Sequence, residues 1–169
     1  MLNAIGAFAI SSQVGINEKE LCKALSTFKG IKRRFQVIVN SKKHIVIDDY
    51  AHHPNEINAV WNALKDLFPY EKKCVIFQPH LYSRTRDFMN EFAESLSQFN
   101  RVILLPIYPA RETPIEGIES SMLQRKIKSK NVVELVTKKK LLSVINNSPE
   151  KVKVILGAGD IGIEIEQIK

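Results

Sequence analysis

Short apolar runs rich in β-branched residues alternate along this chain with longer segments of helical periodicity, and that alternation limits the fold more than any other feature. Strand-like patterns fall at 35–39, 44–47, 74–77, 102–105, 132–133 and 152–156, and helix-like patterns at 54–67, 85–98, 120–127 and 138–145. The first two strands flank the polar turn Asn40-Ser41-Lys42-Lys43 and read as a hairpin. Strands alternating with helices then imply an α/β fold with a mostly parallel sheet of about six strands and right-handed crossovers. The chain has no internal repeat and no low-complexity segment.

The beginning of the chain differs. Residues 2–14 carry no charge and are rich in Ala and Ile, which reads as a helix buried on nearly every side. Asn17 then precedes Glu18-Lys19-Glu20 and the apolar positions Leu21, Ala24, Leu25 and Phe28, an N-capped second helix that Gly30 closes. Two such helices look like the tail of another domain, so the expected division is 1–30 and 31–169.

A chain of 169 residues suits one α/β domain plus an appendage. No apolar run approaches the roughly 20 residues that span a bilayer, and the first residues lack a basic start and a cleavage site. A cytoplasmic protein with no membrane partner is expected. Cys22 and Cys74 have no close-spaced partner and read as buried, reduced thiols. The formal net charge of +7 is concentrated in Gln124-Arg125-Lys126-Ile127-Lys128-Ser129-Lys130 and Lys138-Lys139-Lys140. Neither run interleaves aromatics, which favours a solvated face over a nucleic-acid patch.

Two polar blocks stand at strand exits: Asp48-Asp49-Tyr50-Ala51-His52-His53-Pro54 after Ile45-Val46-Ile47, and Gln78-Pro79-His80-Leu81-Tyr82-Ser83-Arg84-Thr85 after the run ending at Phe77. Ligands of open α/β sheets bind at that rim, so the two blocks are expected on neighbouring strands at one site. Asp48 and Asp49 point to opposite faces, one for structure and one for a ligand, since successive strand residues alternate. A carboxylate there can accept from the vicinal hydroxyls of a ribose. Adjacent His52 and His53 do not suit one metal ion, which leaves one imidazole as a cap or core group and the other facing substrate. Pro54 fits the first turn of the following helix. Arg84 can grip a carboxylate or phosphate bidentately, Ser83 suits a helix N-cap, and Arg86 with Asp87 and Glu91 nearby suits a surface ion pair.

Gly157-Ala158-Gly159-Asp160-Ile161-Gly162 matches G-x-G-x-x-G, but the acidic strand end expected about 20 residues later is absent. A tight strand-to-helix turn accounts for it without a cofactor. The chain contains no G-x-x-x-x-G-K-[ST] phosphate loop.

Leu2-Asn3-Ala4, Phe28-Lys29-Gly30 with Arg33-Arg34-Phe35, the two polar blocks, Ile107-Tyr108-Pro109-Ala110-Arg111-Glu112 and Gly157-Ala158-Gly159-Asp160 together resemble the carboxyl-terminal third of the Mur ligase family. The resemblance implies a Rossmann-like domain preceded by two helices of a neighbouring central ATPase domain, which would carry the phosphate loop. It also implies ATP and Mg2+ as cofactors, with metal ligands mainly outside this chain and none assigned within it. The order and spacing are most similar to the branch that joins L-alanine to UDP-N-acetylmuramate through an acyl phosphate in peptidoglycan synthesis. The branch that recycles murein tripeptide is the alternative, although a Pro-Arg-Ser-Asn-type sequence is expected there in place of the block from Gln78 to Thr85. A non-enzymatic nucleotide or nucleic-acid binding module is the alternative from a different class.

By resemblance, Asn3 would contact adenine, Arg34 the ATP phosphates and Asp49 the ribose. Tyr50, His52, His80 and Arg84 would line the alanine and acyl-phosphate end, with His52, His80 and Arg84 as candidates for a catalytic part. The chain departs from the family at Leu81, where many members carry Arg. Arg84 would then act alone or with a cation from elsewhere.

Overall fold

The computed structural model describes residues 2–128 and 132–165. They fall into two compact units, Met1–Ile31 and Lys32–Lys169. The first holds α1 (Leu2–Gln13) and α2 (Glu18–Thr27), the latter capped by the Asn17 side chain, which accepts from the Lys19 N–H at 2.9 Å. The expectation of a helix buried on nearly every side is not met within this unit, where Ile5 and Ile10 are 58% and 70% exposed. One partner helix cannot wrap another, so the apolar composition of α1 is not matched by cover. Cys22 is exposed as well, contrary to expectation: it follows the buried Leu21 and lies about 100° further round the helix.

The second unit is built on a six-stranded sheet in the order β1-β2-β6-β3-β4-β5, comprising β1 (Gln36–Asn40), β2 (Ile45–Asp49), β3 (Lys73–Phe77), β4 (Arg101–Leu104), β5 (Val133–Leu135) and β6 (Val152–Leu156). Only β1 and β2 pair antiparallel, and every other pairing is parallel. β2 and β3 are therefore not neighbours, because β6 enters between them and bonds to both. The two polar blocks still share one rim, with the turn after β6 rising between them.

Parallel strands covered on both faces are mostly apolar, and β2, β3 and β6 are buried throughout, with charged residues only at Asp48, Asp49, Lys73 and Lys153. Alternate residues divide into two cores. Ile45, Ile47, Val75, Phe77, Val102, Leu104, Val154 and Leu156 pack under α3 (Pro54–Leu67), α5 (Met89–Leu96) and α6 (Ser120–Lys126). Val46, Cys74, Ile76, Ile103 and Ile155 pack under α7 (Leu141–Asn147) and α8 (Ile161–Ile165). Each fully buried side chain of this size contributes about 1.5–3 kcal/mol. Burial pushes the Cys74 thiol up to about 12, so this cysteine is an inert core residue, as expected.

The helical segment expected at 85–98 is two helices, α4 (Tyr82–Asp87) and α5, joined at Phe88 outside helical geometry. Ser83 is accordingly the second residue of α4 rather than its cap. Arg86 pairs with Asp87 at 2.7 Å on the surface, as expected. Of the basic runs, Lys138–Lys140 is a 3-10 turn, Gln124–Lys128 is described, and Ser129 and Lys130 lie outside the described residues.

Candidate active site

Asp48 and Asp49 close β2, His80 follows β3, Tyr108 follows β4 and Gly157 follows β6, so all sit at the carboxyl rim. An isolated parallel bridge between His80 and Tyr108 extends the β3–β4 pairing beyond the sheet. The Tyr108 N–H donates to the Pro79 carbonyl at 2.8 Å, and the Leu81 N–H to the Tyr108 carbonyl at 2.9 Å. Glu112 completes the attachment by accepting from both the N–H and the hydroxyl of Ser83, which holds its carboxyl below the usual range. The Tyr108 loop is thereby tied to the block that carries His80 and Arg84.

Of the two adjacent histidines, His53 takes the capping role expected for one of them. The His53 ring accepts from the Asn55 N–H at 3.4 Å as the N-cap of α3, with Pro54 in the first turn. The Glu56 carboxylate accepts from the N–H groups of His52 (2.8 Å) and His53 (3.0 Å), closing a capping box. His52 Nδ1 faces two acceptors, the Tyr50 carbonyl at 2.9 Å and Glu56 Oε2 at 3.4 Å, so it carries a proton, and the ring when neutral offers its lone pair at Nε2.

His80 is the converse. Its Nδ1 lies 3.2 Å from Arg84 Nη1, and a guanidinium can only donate, so Nδ1 accepts and the neutral ring carries its proton on Nε2. Burial, then the charge of Arg84, hold this imidazole below its ordinary pKa, which keeps it neutral at neutral pH. The ring centroids of His52 and His80 are 5.9 Å apart, Tyr108 stacks on His80 at 5.6 Å, and Tyr50 meets His52 edge-on at 5.4 Å. The His52 and His80 rings and the Arg84 guanidinium are thus contiguous at the rim. Such a set can take a proton from an ammonium group while gripping a carboxylate or an acyl-phosphate oxygen.

Asp49 is tied down more than expected. Its two carboxylate oxygens accept from the N–H groups of Phe35 (2.7 Å) and Ala51 (2.8 Å), leaving only second lone pairs for a ligand. Asp48 carries the structural charge: Arg33 Nε lies 3.2 Å from its Oδ2, while Oδ1 is buried with no partner among the described residues. Burial raises the Asp48 pKa and Arg33 opposes the rise. The side chain of Arg34 is exposed and pairs with no described residue. Asn3 belongs to the first unit, exposed on α1.

Protein side chains occupy the surroundings of the G-x-G-x-x-G segment. A methyl on Gly159 would lie 2.6 Å from Tyr108 Cγ, one on Gly162 would lie 2.7 Å from Arg33 Cζ, and one on Gly157, at φ +151°, would lie 3.0 Å from the Gln78 carbonyl oxygen. Buried Gln78 fixes the turn by donating to Asp160 (2.8 Å) and accepting from the Ile161 N–H (3.0 Å). Lys138 pairs with the same Asp160. A cleft of about 360 Å³ opens here, lined by Lys32, Arg33, Tyr108 and the turn itself.

The profile of the Mur ligase glutamate-ligase domain matches residues 33–160. The chain belongs to the Mur ligase family. It is 50% identical over all 169 residues to a UDP-N-acetylmuramate–L-alanine ligase of Flavobacterium psychrophilum, of which it covers 38%. It superposes on the UDP-N-acetylmuramate-alanine ligase of Thermotoga maritima with a TM-score of 0.78 at 30% identity, over 98% of this chain and 36% of that one. The murein peptide ligase of Psychrobacter arcticus, 21% identical with a TM-score of 0.65, covers 98% of this chain and 35% of that one and shares the fold. The chain thus spans less than two-fifths of the length of these Mur ligases.

Arg33, Glu56, Gln78, Tyr108 and Glu112 shape the site although their roles were not read from sequence. Glu56 had a readable signal, a carboxylate three residues after a candidate N-cap. The others act across strands.

Proposed function

We propose that this chain is the carboxyl-terminal domain, with the closing helices of a central ATPase domain at 1–30, of a cytoplasmic ligase that joins L-alanine to UDP-N-acetylmuramate for peptidoglycan. The observation that carries the reading is the contiguity of Tyr50, His52, His80 and Arg84 at the carboxyl rim. The names of its relatives supply the substrates. Its macromolecular partners are the amino-terminal and central domains of the same protein, with no nucleic acid among them.

ATP supplies the phosphoryl group that converts the substrate carboxylate to an acyl phosphate. On this reading Asn3 meets adenine, Asp49 meets the ribose through its spare lone pairs, and Arg34 reaches the phosphates. Magnesium would accompany the ATP, with its ligands mainly in the rest of the protein and none assigned in this chain. Arg84 grips the alanine carboxylate or the acyl phosphate. His80 holds Arg84 and donates from Nε2, and His52 Nε2 accepts the proton that the alanine ammonium loses before its amine attacks. These residues act by orientation and by cationic stabilisation of oxygens.

The test gives the whole protein ATP and UDP-N-acetylmuramate with either L-alanine or murein tripeptide and follows the UDP-linked product by mass. Product from L-alanine is expected. Product from the tripeptide alone would transfer the protein to the recycling branch. The 169-residue chain by itself, with no phosphate loop in its sequence, is expected to turn over neither.

A further inference from the structure

Arg33 is used by none of the roles above, yet more of the rim meets at its side chain than at any residue assigned to substrate. Its Nε lies 3.2 Å from Asp48 Oδ2 at the end of β2, and its Nη2 donates to the Gly157 carbonyl at 2.5 Å at the end of β6. Its Cζ sits 5.2 Å from the centre of the Tyr50 ring. Gly162 has no Cβ where this guanidinium lies, since one would come within 2.7 Å of it.

The backbone of the same segment is in an unfavourable conformation. Arg33 and Phe35 have φ of 60° and 47°, a region that side-chain-bearing residues seldom occupy and hold only where their surroundings impose it. The surroundings here are the β2 exit: the Tyr50 N–H donates to the Arg33 carbonyl at 2.8 Å, the Phe35 N–H donates to Asp49 at 2.7 Å, and the Arg33 N–H donates to Gln36 Oε1 at 2.9 Å. Between the two strained residues stands Arg34, with its side chain in solvent.

We propose that Arg33 is a positioning residue, a two-pronged clamp that joins the ends of β2 and β6 and holds the strained turn that carries Arg34 against Asp49 at the β2 exit. A fork is required because Asp48 and the Gly157 carbonyl belong to different strands. Lysine could satisfy one of them at a time. The glycine at 162 is explained by the same clamp, as room for a guanidinium rather than for a pyrophosphate. The inference rests on the reading that Arg34 and Asp49 face the nucleotide, so its test includes one measurement that involves no nucleotide.

The experiment uses the whole ligase carrying Arg33→Met, Arg33→Lys, Arg34→Ala, or Arg33→Met with Arg34→Ala. Amide hydrogen exchange at Phe35 and Tyr50 reads the clamp directly. Arg33→Met is expected to speed it at least ten-fold, with β3 and β4 amides unchanged, and Arg33→Lys to speed it less. Steady-state kinetics read the consequence. Arg33→Met is expected to raise the KM for ATP about ten-fold, leave kcat and the KM for L-alanine within about three-fold, and add nothing to the effect of Arg34→Ala. Unchanged exchange overturns the clamp whatever the kinetics. Faster exchange with an unchanged KM for ATP, in an enzyme where Arg34→Ala raises that KM, overturns the positioning role. If Arg34→Ala has no effect, the nucleotide assignment of Arg34 fails, and an exchange effect without a KM effect then overturns the positioning role with it. Should Arg33→Met misfold through its unpaired buried carboxylate, Arg33→Met with Asp48→Asn removes both partners and is read in the same way.

Discussion

At the amino-terminal ends of the strands, two buried lysines each meet two partners within the protein itself. Lys73 Nζ donates to the carbonyls of Phe68 (2.6 Å) and Glu71 (2.8 Å), and Lys153 Nζ donates to the Glu150 carbonyl (2.6 Å) and lies 2.9 Å from His44 Nδ1. Arg101 there pairs with Glu134 and, at 3.1 Å, with Glu150. At the carboxyl ends the polar groups are only partly used among the described residues: His52 keeps Nε2, His80 a ring N–H, Arg34 its whole guanidinium, and Asp48 an unpartnered oxygen. The backbone divides in the same way. Among the described residues the non-glycine positions with positive φ are Arg33, Phe35, Leu81 and Ala110, all in rim segments. Buried polar residues thus occur at both ends of the sheet, whereas among the described residues the positive-φ positions other than glycine gather at the carboxyl rim.

The sharpest way to break that contrast is at Arg84. Arg84→Lys keeps the charge and loses the fork, and charge-assisted bonds worth roughly 1.5–3 kcal/mol translate into about a ten- to hundred-fold fall in kcat/KM for L-alanine with an unchanged thermal midpoint. Kinetics with varied L-alanine beside a melt decide it, and a loss explained by unfolding would move Arg84 to the structural side. Asp49 lies between the two classes. Asp49→Ala is expected to raise the KM for ATP about ten-fold with little change in kcat, and also to lower stability by about 1–3 kcal/mol because the Phe35 and Ala51 amides lose their acceptor. A change in kcat alone would give it a catalytic role.

The opposite end should respond in reverse. Lys153→Met leaves the Glu150 carbonyl and His44 without their donor, and is expected to cost about 1–3 kcal/mol in denaturant unfolding while kcat/KM stays within two-fold.

The smallest expected effect is a pH slope. The charge of Lys153, then burial and Lys43, hold His44 below its ordinary pKa, and His80 is lowered as well. For a lowered histidine the unfolded chain takes up the proton first, so the stabilisation is whole above about pH 6.5 and is lost as pH falls through that value toward the folded pKa. The unfolding midpoint should therefore drop between pH 7 and 5.5. Lys153→Met should flatten the drop, and an unchanged slope would show that His44 does not contribute.

Legibility in the sequence followed the range of the forces involved. β6 was readable to the residue because Val152, Val154, Ile155 and Leu156 stand in a short apolar run interrupted only by Lys153. Its place between β2 and β3 was not, since no local pattern encodes which edges meet. His53 and Pro54 could be read as a helix start because capping is local. Arg33, Gln78 and Glu112 could not, because Arg33 and Gln78 meet their partners across β6 and Glu112 meets Ser83 across the Tyr108 loop. The misreading of α1 has another cause, since apolar composition records that a helix wants cover without saying that its own unit supplies it.

The position of β6 also matters while the protein is being made. β6 leaves the ribosome after every other strand, yet it belongs in the middle of the sheet. Until Val152–Leu156 has emerged, a nascent chain can form only the β1–β2 hairpin and a separate β3–β4–β5 ribbon, each with an open apolar edge where β6 will sit. Such edges are sites of mispairing between chains, and segments joined late and over long range are slow to find each other. Synthesis halted before Val152 would leave two half-sheets needing a chaperone, and the release of one five-residue segment would join them into a single sheet.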